Sequence, residues 1–197
     1  MARLAPLPVG SVPELNDIFE KIRASGHYIP NSQLILQRRP KIVRALRALN
    51  AAVFDPEGEV GVGFKRLLAY VASRTAGCYY CMAHNAGGSL KSGIKDEKLA
   101  AVWEFRSSPL FDEKERVALE FAIAAAAQPN DVSDELFGKI RQHWSDGQIV
   151  EMAALVAYFG FMNRFNDTMA TPLEEEPIAV AEKHIATHGW SVGKHRP

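Results

Sequence analysis

Apolar residues recur every three or four positions along most of this chain, which is the period of an amphipathic α-helix. Residues 64–75 show the pattern well, because Leu67, Leu68 and Val71 fall on one face of a helix. Period-two alternation of apolar and polar residues is missing, and so are Asn-Gly turns between β-branched runs. The sequence therefore predicts an all-α fold and excludes folds that need a β-sheet, such as that of thioredoxin.

The predicted helices have recognisable beginnings and ends. Capping boxes, in which a Ser or Asp is followed three residues later by Glu or Gln, begin three of them. These boxes are Ser11-Val-Pro-Glu14, Asp112-Glu-Lys-Glu115 and Ser145-Asp-Gly-Gln148. We expect Pro40 to open a further helix. We also expect Gly77 to end or kink the helix over residues 64–75, so that a new helical segment begins at Cys78 and continues to about residue 92.

The length of 197 residues suits one domain with a sizeable core. The predicted parts are an N-terminal helix with a connector (residues 1–39), a helical core (residues 40–172) and a C-terminal tail with a short helix (residues 173–197). The tail is polar, and we expect its end to be loose. Its histidines, His184, His188 and His195, are then an exposed set rather than a metal site.

A weak internal similarity suggests two related helical halves. An offset of 85 residues places the apolar stretch 66–84 on the stretch 151–169. With this offset, Cys78 falls on Asn163 and Cys81 on Asn166. Chance similarity between two amphipathic helices explains the match as well as a duplication does.

Charge and hydropathy exclude several classes of protein. The chain has 23 basic and 23 acidic residues, so its formal charge is zero, and it lacks the basic surface of a protein that binds nucleic acid. The longest apolar run, residues 149–162, is shorter than the roughly 20 residues that a membrane span needs. The opening MARLAPLPVG has no apolar region typical of a secretory signal. We therefore expect a soluble, cytoplasmic protein without nucleic-acid or membrane partners.

Both cysteines occur in one short stretch, AGCYYCMAHNAGG, together with His84. In a reducing compartment such a pair indicates redox, catalytic or metal chemistry rather than a structural disulfide. On a helix, Cys78 and Cys81 lie one turn apart and can close a disulfide. The positive end of the helix dipole should stabilise a thiolate there and lower the pKa of the thiol below about 8.5, with His84 one turn further on as a base.

Other interpretations of the cysteine pair fit less well. Zinc would find three ligands here, but a structural zinc site needs four. Covalent haem attachment requires Cys-x-x-Cys-His, and Met82 occupies the histidine position. Two buried cysteines that only fill a helix seam remain an alternative. The sequence favours a redox-active dithiol that needs no metal and no organic cofactor.

The segment RTAGCYYCMAHNAGGSLKSG, preceded by an amphipathic helix and followed by FDEKERVALEFA, resembles the carboxymuconolactone decarboxylase superfamily. The resemblance is closest to its alkylhydroperoxidase D (AhpD)-like branch and extends over roughly residues 40–170, since SDGQIVEMAALVAYFGFMNRFND is similar to the second helical half of that family. It implies an AhpD-like helical bundle assembled into homo-oligomers. It also implies a thiol-dependent peroxidase or disulfide oxidoreductase, which takes a peroxide or hydroperoxide as substrate and an external thiol or disulfide reductant.

The resemblance assigns roles to three residues: Cys81 attacks the peroxide, Cys78 resolves the sulfenic acid into a disulfide, and His84 relays protons. Two positions depart from the family pattern. Asn85 stands where the best-characterised members have the histidine, and Arg66 stands where they have a glutamate, twelve residues before Cys78. The alternatives for the missing carboxylate are Glu120 and Glu151, each of which is otherwise an ordinary surface or interface residue.

Two further functions stay open. One is a lactone decarboxylase like the founding branch of the superfamily, whose chemistry would not need the cysteine pair. The other is a non-enzymatic helical protein whose assembly responds to the dithiol state. Further residues near the motif can line a pocket or only pack: these are Tyr79, Tyr80, Asn163 and Arg164, the last two in the segment NRFND.

Overall fold

The computed structural model describes residues 2–26 and 28–197. These residues form ten α-helices joined by turns and short 3-10 segments, and none of them lies in a strand, which confirms the predicted all-α fold. The helices are α1 (Asn16–Ala24), α2 (Asn31–Leu36), α3 (Pro40–Val53), α4 (Val62–Thr75), α5 (Tyr79–Lys91), α6 (Asp96–Ala100), α7 (Glu113–Ala126), α8 (Asp134–Ile140), α9 (Asp146–Met169) and α10 (Glu175–His184).

Local sequence signals explain most of the helix boundaries. Capping boxes are present at Asp112 and Ser145, where the N-cap side chain and the N3 side chain each accept a backbone N–H. Pro40 occupies the first turn of α3, as expected. The predicted box at Ser11 is wrong, because that segment turns through the 3-10 helix Pro13–Leu15 before α1 begins.

The centre of the fold is α4. Its residues Leu67 to Ala72 are all fully buried, and the helix packs against α5, α7 and α9. Lys65 on the same helix is also buried, and its ammonium group is 2.6 Å from the carboxylate of Glu151 on α9. This pairing stabilises a charge that would be costly to bury alone.

The N-terminal segments and the tail cover one end of this core. Leu15, Phe19 and Ile22 form a smaller hydrophobic cluster with Val43 of α3. The end of the tail was expected to be loose, but it folds back over α5, where Trp190 Nε1 donates to the carbonyl of Tyr79 at 2.9 Å. In the part of the chain that the structure describes, no helix combines the length and the apolar character that crossing a bilayer requires.

Replacing Leu68 by alanine tests the central role of α4. Because the truncated side chain leaves a cavity, we expect the free energy of unfolding to fall by about 2–5 kcal/mol. Leu49 on α3 is the matched control, since 45% of it is exposed, and its replacement by alanine should change stability by less than about 0.5 kcal/mol. Urea denaturation followed by circular dichroism measures both variants, and equal losses would contradict the assignment.

Candidate active site

The two cysteines lie at the start of α5, behind a turn centred on Gly77. Gly77 has a φ of +71°, which glycine adopts without steric cost. Its N–H donates to the carbonyl of Arg74, and the N–H of Cys78 donates to the carbonyl of Ser73 at 3.0 Å, which together form a Schellman motif. Cys78 thereby becomes the N-cap of α5, and its Sγ accepts the N–H of Cys81 at 3.5 Å. The prediction that both cysteines belong to one helical turn is confirmed.

Cys81 lies in the wall of a cavity of about 460 Å³, whereas Cys78 is fully buried behind it. Both cysteines are free thiols. The Sγ atom of Cys81 accepts a hydrogen bond from Nδ2 of Asn166 on α9 at 3.4 Å. A molecule that enters the cavity therefore meets the sulfur of Cys81 first.

The expected lowering of the thiol pKa is wrong for Cys81. Burial raises its pKa well above that of a free cysteine, and the neighbouring side chain of Cys78 raises it further. The hydrogen bond from Asn166 acts in the opposite direction but does not compensate. Since a buried thiolate loses its hydration, Cys81 rests as a thiol and needs a base before it can act as a nucleophile.

His84, one turn after Cys81, lines the same cavity. Its Nε2 is 2.8 Å from a carboxylate oxygen of Glu174, the residue that precedes α10. Its Nδ1 is 3.3 Å from the hydroxyl of Tyr28. Because an ionised carboxylate only accepts hydrogen bonds, Nε2 carries a proton, which leaves Nδ1 to accept one from Tyr28 or to bind the proton of an acid.

Glu174 is held by two further contacts. Its Oε1 accepts the hydroxyl of Tyr80 at 3.0 Å and the N–H of Asn31 at 2.5 Å. Burial alone would raise the pKa of Glu174, but the hydrogen bond from His84, the charge of His84 and the N–H of Asn31 together lower it. Glu174 is therefore ionised at neutral pH and orients His84 as a carboxylate orients a catalytic imidazole.

Sequence reasoning missed Glu174 and proposed two other carboxylates. Glu120 pairs with Arg106 at 3.0 Å on the surface. Glu151 binds Lys65 and accepts the N–H groups of residues 59 and 60, so neither carboxylate contacts the thiols or His84. Glu174 lies 90 residues after His84 in the chain, and no local motif could have linked the two.

The two departures from the family pattern contact each other. Nη1 of Arg66 donates to Oδ1 of Asn85 at 3.3 Å, and Nδ2 of Asn85 donates to the carbonyl of Cys81 at 3.0 Å. An arginine and an asparagine thus stand beside the motif where the family has a glutamate and a histidine. His84, one residue before Asn85 on α5, supplies an imidazole, and Glu174, which precedes α10, supplies a carboxylate.

The remaining candidate residues divide between the cavity and other places. Tyr80 lines the cavity with Asn166, whereas Tyr79 is not among its lining residues. Asn163 and Arg164 line a separate hollow between α7 and α9, which favours the alternative in which they do not line the thiol cavity. Asn166 lines the thiol cavity and donates to Cys81. In the sequence, the internal similarity at an offset of 85 residues was the signal that paired these two residues.

The tail histidines differ from the expected exposed set. His195 is fully buried, with Nδ1 2.8 Å from the carbonyl of Thr171 and its ring beside that of Tyr80. Burial lowers the pKa of His195. Among residues 2–26 and 28–197, no group of three or more His, Cys, Asp or Glu side chains could hold a metal ion.

The raised pKa predicts how Cys81 reacts as pH changes. In the Cys78→Ser variant Cys81 is the only thiol. The thiolate is the form that reacts with iodoacetamide. We therefore expect the alkylation rate of Cys81 to keep rising above about pH 8.5, where the rate for a free thiol begins to level off. Mass spectrometry measures the rate, with N-acetylcysteine as the control. A plateau below about pH 8 would mean that the helix dipole outweighs burial.

Comparison with known proteins finds relatives by sequence and by fold. The carboxymuconolactone decarboxylase family profile matches residues 40–124. The uncharacterised protein YnjA of Escherichia coli (strain K12) is 33% identical over 97 residues, which are 49% of this chain and 53% of YnjA. This chain thus spans about half the length of that relative.

Two proteins of known structure have the same arrangement of helices. One is the debrominase Bmp8, solved without ligand (28% identity, TM-score 0.83, 91% of this chain and 96% of Bmp8). A second Bmp8 structure, of a variant with one cysteine replaced by alanine, contains 2,3,4-tribromopyrrole. The other is an alkylhydroperoxidase AhpD core from Ralstonia eutropha JMP134 (20% identity, TM-score 0.76, 88% of this chain and 94% of that chain). Residues 40–124 thus match the carboxymuconolactone decarboxylase family, and the whole chain has the fold of AhpD-like proteins.

Proposed function

We propose that this protein is a dithiol oxidoreductase that reduces an organic hydroperoxide, with Cys81 as the attacking thiol and Cys78 as the resolving thiol. The observation that carries the proposal is the arrangement of the two sulfurs: Cys81 lines the cavity, and Cys78 lies behind it in the same turn. His84 lines the same cavity as Cys81, and Glu174 binds its Nε2, so the two supply a base and its orienting carboxylate. The proposal assigns no role to a metal or an organic cofactor.

The first step transfers the terminal oxygen of the hydroperoxide to sulfur. His84 accepts the proton of the Cys81 thiol, and Glu174 stabilises the resulting imidazolium. The thiolate attacks the terminal oxygen, so that an S–O bond forms and the O–O bond breaks. The leaving alkoxide takes the proton from His84. Cys81 is then a sulfenic acid and the substrate an alcohol.

The second step closes the disulfide. The sulfur of Cys78 attacks the sulfenic sulfur of Cys81, the S–O bond breaks, and the hydroxyl leaves as water with the proton of the Cys78 thiol. An external dithiol then reduces the disulfide by exchange and becomes oxidised itself. Asn166 supports the first step, because its N–H donates to the sulfur and stabilises the charged form.

Reductive dehalogenation is a second candidate, favoured by the similarity to the debrominase Bmp8 over 91% of this chain. The cavity also suits a small ring, since its walls include Tyr80, Tyr158 and Phe159. Here the thiolate of Cys81 would attack the halogen, and the ring carbon would take a proton as the carbon–halogen bond breaks. Cys78 would then displace halide from Cys81 to form the same disulfide. Lactone decarboxylation would leave the dithiol without a role.

We further propose that the protein acts in the cytoplasm as a homo-oligomer. The face of α9 that points away from the core supports the assembly, because Val150 is 65% and Phe161 45% exposed there. Apolar side chains of this size on one exposed helix face are typical of surfaces that bind another protein.

Serine variants separate the two thiol roles. Cys81→Ser should abolish consumption of cumene hydroperoxide with dithiothreitol as reductant. Cys78→Ser should still consume one equivalent and stop as a sulfenic acid, which dimedone traps for mass spectrometry. Sulfenic acid on Cys78, or full turnover by the Cys81→Ser variant, would contradict the assignment. A wild-type protein that forms the disulfide without turning over would instead support the non-enzymatic alternative.

Replacing Glu174 by glutamine tests the proton relay. The amide keeps the shape but removes the charge that supports His84 when it is protonated, so we expect oxidation of Cys81 by hydroperoxide to slow by roughly 10- to 100-fold. Stopped-flow tryptophan fluorescence over a pH series measures the rate. Glu175→Gln is the matched control, because Glu175 is the exposed next residue. Equal rates for the two variants would remove Glu174 from the mechanism.

A further inference from the structure

Arg66 is a cation in the cavity wall with no carboxylate partner among the residues that the structure describes. Its one hydrogen bond goes to the amide oxygen of Asn85, and its guanidinium lies 3.7 Å from the centre of the Phe54 ring. Arg66 is half-buried, whereas Lys65, the preceding residue, is fully buried and is paired with Glu151 at 2.6 Å. Charges that are withdrawn from water are normally paired, so a bound anion can supply the partner that Arg66 lacks.

The side chain of Arg66 is held in one orientation. Phe54 supports one face of the guanidinium. A Cβ atom on Gly88 would lie 2.9 Å from Cδ and 3.1 Å from Nε of Arg66, so the glycine provides the space in which the arginine lies. Burial lowers the pKa of Arg66, yet a guanidinium keeps its charge at any physiological pH. The result is a fixed fork of N–H donors, of which one is already used.

A second donor lies in the same cavity. Tyr158 on α9 accepts a hydrogen bond from Nδ2 of Asn50 at 3.2 Å, which leaves its own proton free to donate. Burial raises the pKa of Tyr158, so the hydroxyl keeps that proton at neutral pH. Arg66 and Tyr158 thus both offer donors to the same cavity.

The carboxylates near the cavity already have partners. Glu176 at the rim pairs with Lys91 at 2.5 Å. Glu174 is bound by His84, Tyr80 and the N–H of Asn31. An anion that enters the cavity therefore meets an unneutralised positive charge at Arg66, while its remaining surface meets the aromatic walls.

We propose that the substrate of this cavity is an organic carboxylate, whose anionic group binds Arg66 and whose apolar or aromatic body places the reacting atom at Cys81. This inference rests on the proposed function for the reaction at Cys81, but the binding of the anion does not depend on that chemistry. A small neutral peroxide would make no use of Arg66.

Binding of benzoate and of its neutral isostere benzamide to the reduced full chain tests the carboxylate site. Isothermal titration calorimetry gives the affinities, and protection of Cys81 from iodoacetamide shows that the ligand occupies this cavity. We expect wild-type protein to bind benzoate at least 10-fold more tightly than benzamide, and Arg66→Gln to remove that preference. Equal binding of the two ligands by wild type, or a preference that survives in Arg66→Gln, would overturn the proposal.

Two more variants keep the test decisive if Arg66→Gln does not fold. Gly88→Ala should weaken benzoate binding by displacing the Arg66 stem, and unchanged binding would count against the site. Arg74→Gln is the matched control, since Arg74 lies on the same helix with its guanidinium 3.9 Å from the ring centre of Trp103 and does not line the cavity. The Arg74→Gln variant should prefer benzoate over benzamide as strongly as wild type does. Loss of the preference in this control would also overturn the proposal.

Turnover separates this inference from the proposed function. A hydroperoxide that carries a carboxylate should have a kcat/KM at least 10-fold above that of its methyl ester, with the difference mainly in KM. Benzoate preference without any turnover would support the carboxylate site and contradict the proposed function. Turnover of both hydroperoxides at equal kcat/KM, without benzoate preference, would support the oxidoreductase and overturn the carboxylate site.

Discussion

The turn at Gly77 determines the chemistry that this fold can carry. A residue with a positive φ lets the chain leave the buried helix α4, bond back to its last carbonyls and begin α5 within a few residues. Cys78 is therefore an N-cap and Cys81 lies one turn inside the helix. A longer connection would let α5 rotate, and the sulfur of Cys81 would no longer be fixed in the cavity wall against Asn166.

Burial raises the pKa of Cys81 well above that of a free thiol, and the hydrogen bond from Asn166 acts in the opposite direction without compensating. A helix N-terminus contributes only a partial charge, which weakens beyond the first turn. Removing a thiolate from water costs more. The site is thus arranged to hold Cys81 neutral until a base acts, and this explains why an imidazole with an ionised carboxylate behind it lies so near.

The sequence predicted those parts of the molecule that depend on neighbouring residues. The helical period, the capping boxes at Asp112 and Ser145 and the shared turn of the two cysteines are all local, and all were confirmed. Glu174 could not be predicted, because the tail must fold back over α5 before it reaches His84. The same folding buries His195. The pKa of Cys81 was misjudged for a related reason, since helix position can be inferred from sequence but desolvation requires the tertiary structure.

Asn166 and Glu174 both lie outside residues 40–124, the segment by which the family is recognised. The cysteines and His84 lie inside it. A relative recognised by this segment alone can therefore share the cysteines and differ in the groups that contact Cys81 and His84. Within such a superfamily the reaction can diverge through changes in the C-terminal helices alone, and a substrate assignment needs the whole chain rather than its most recognisable part.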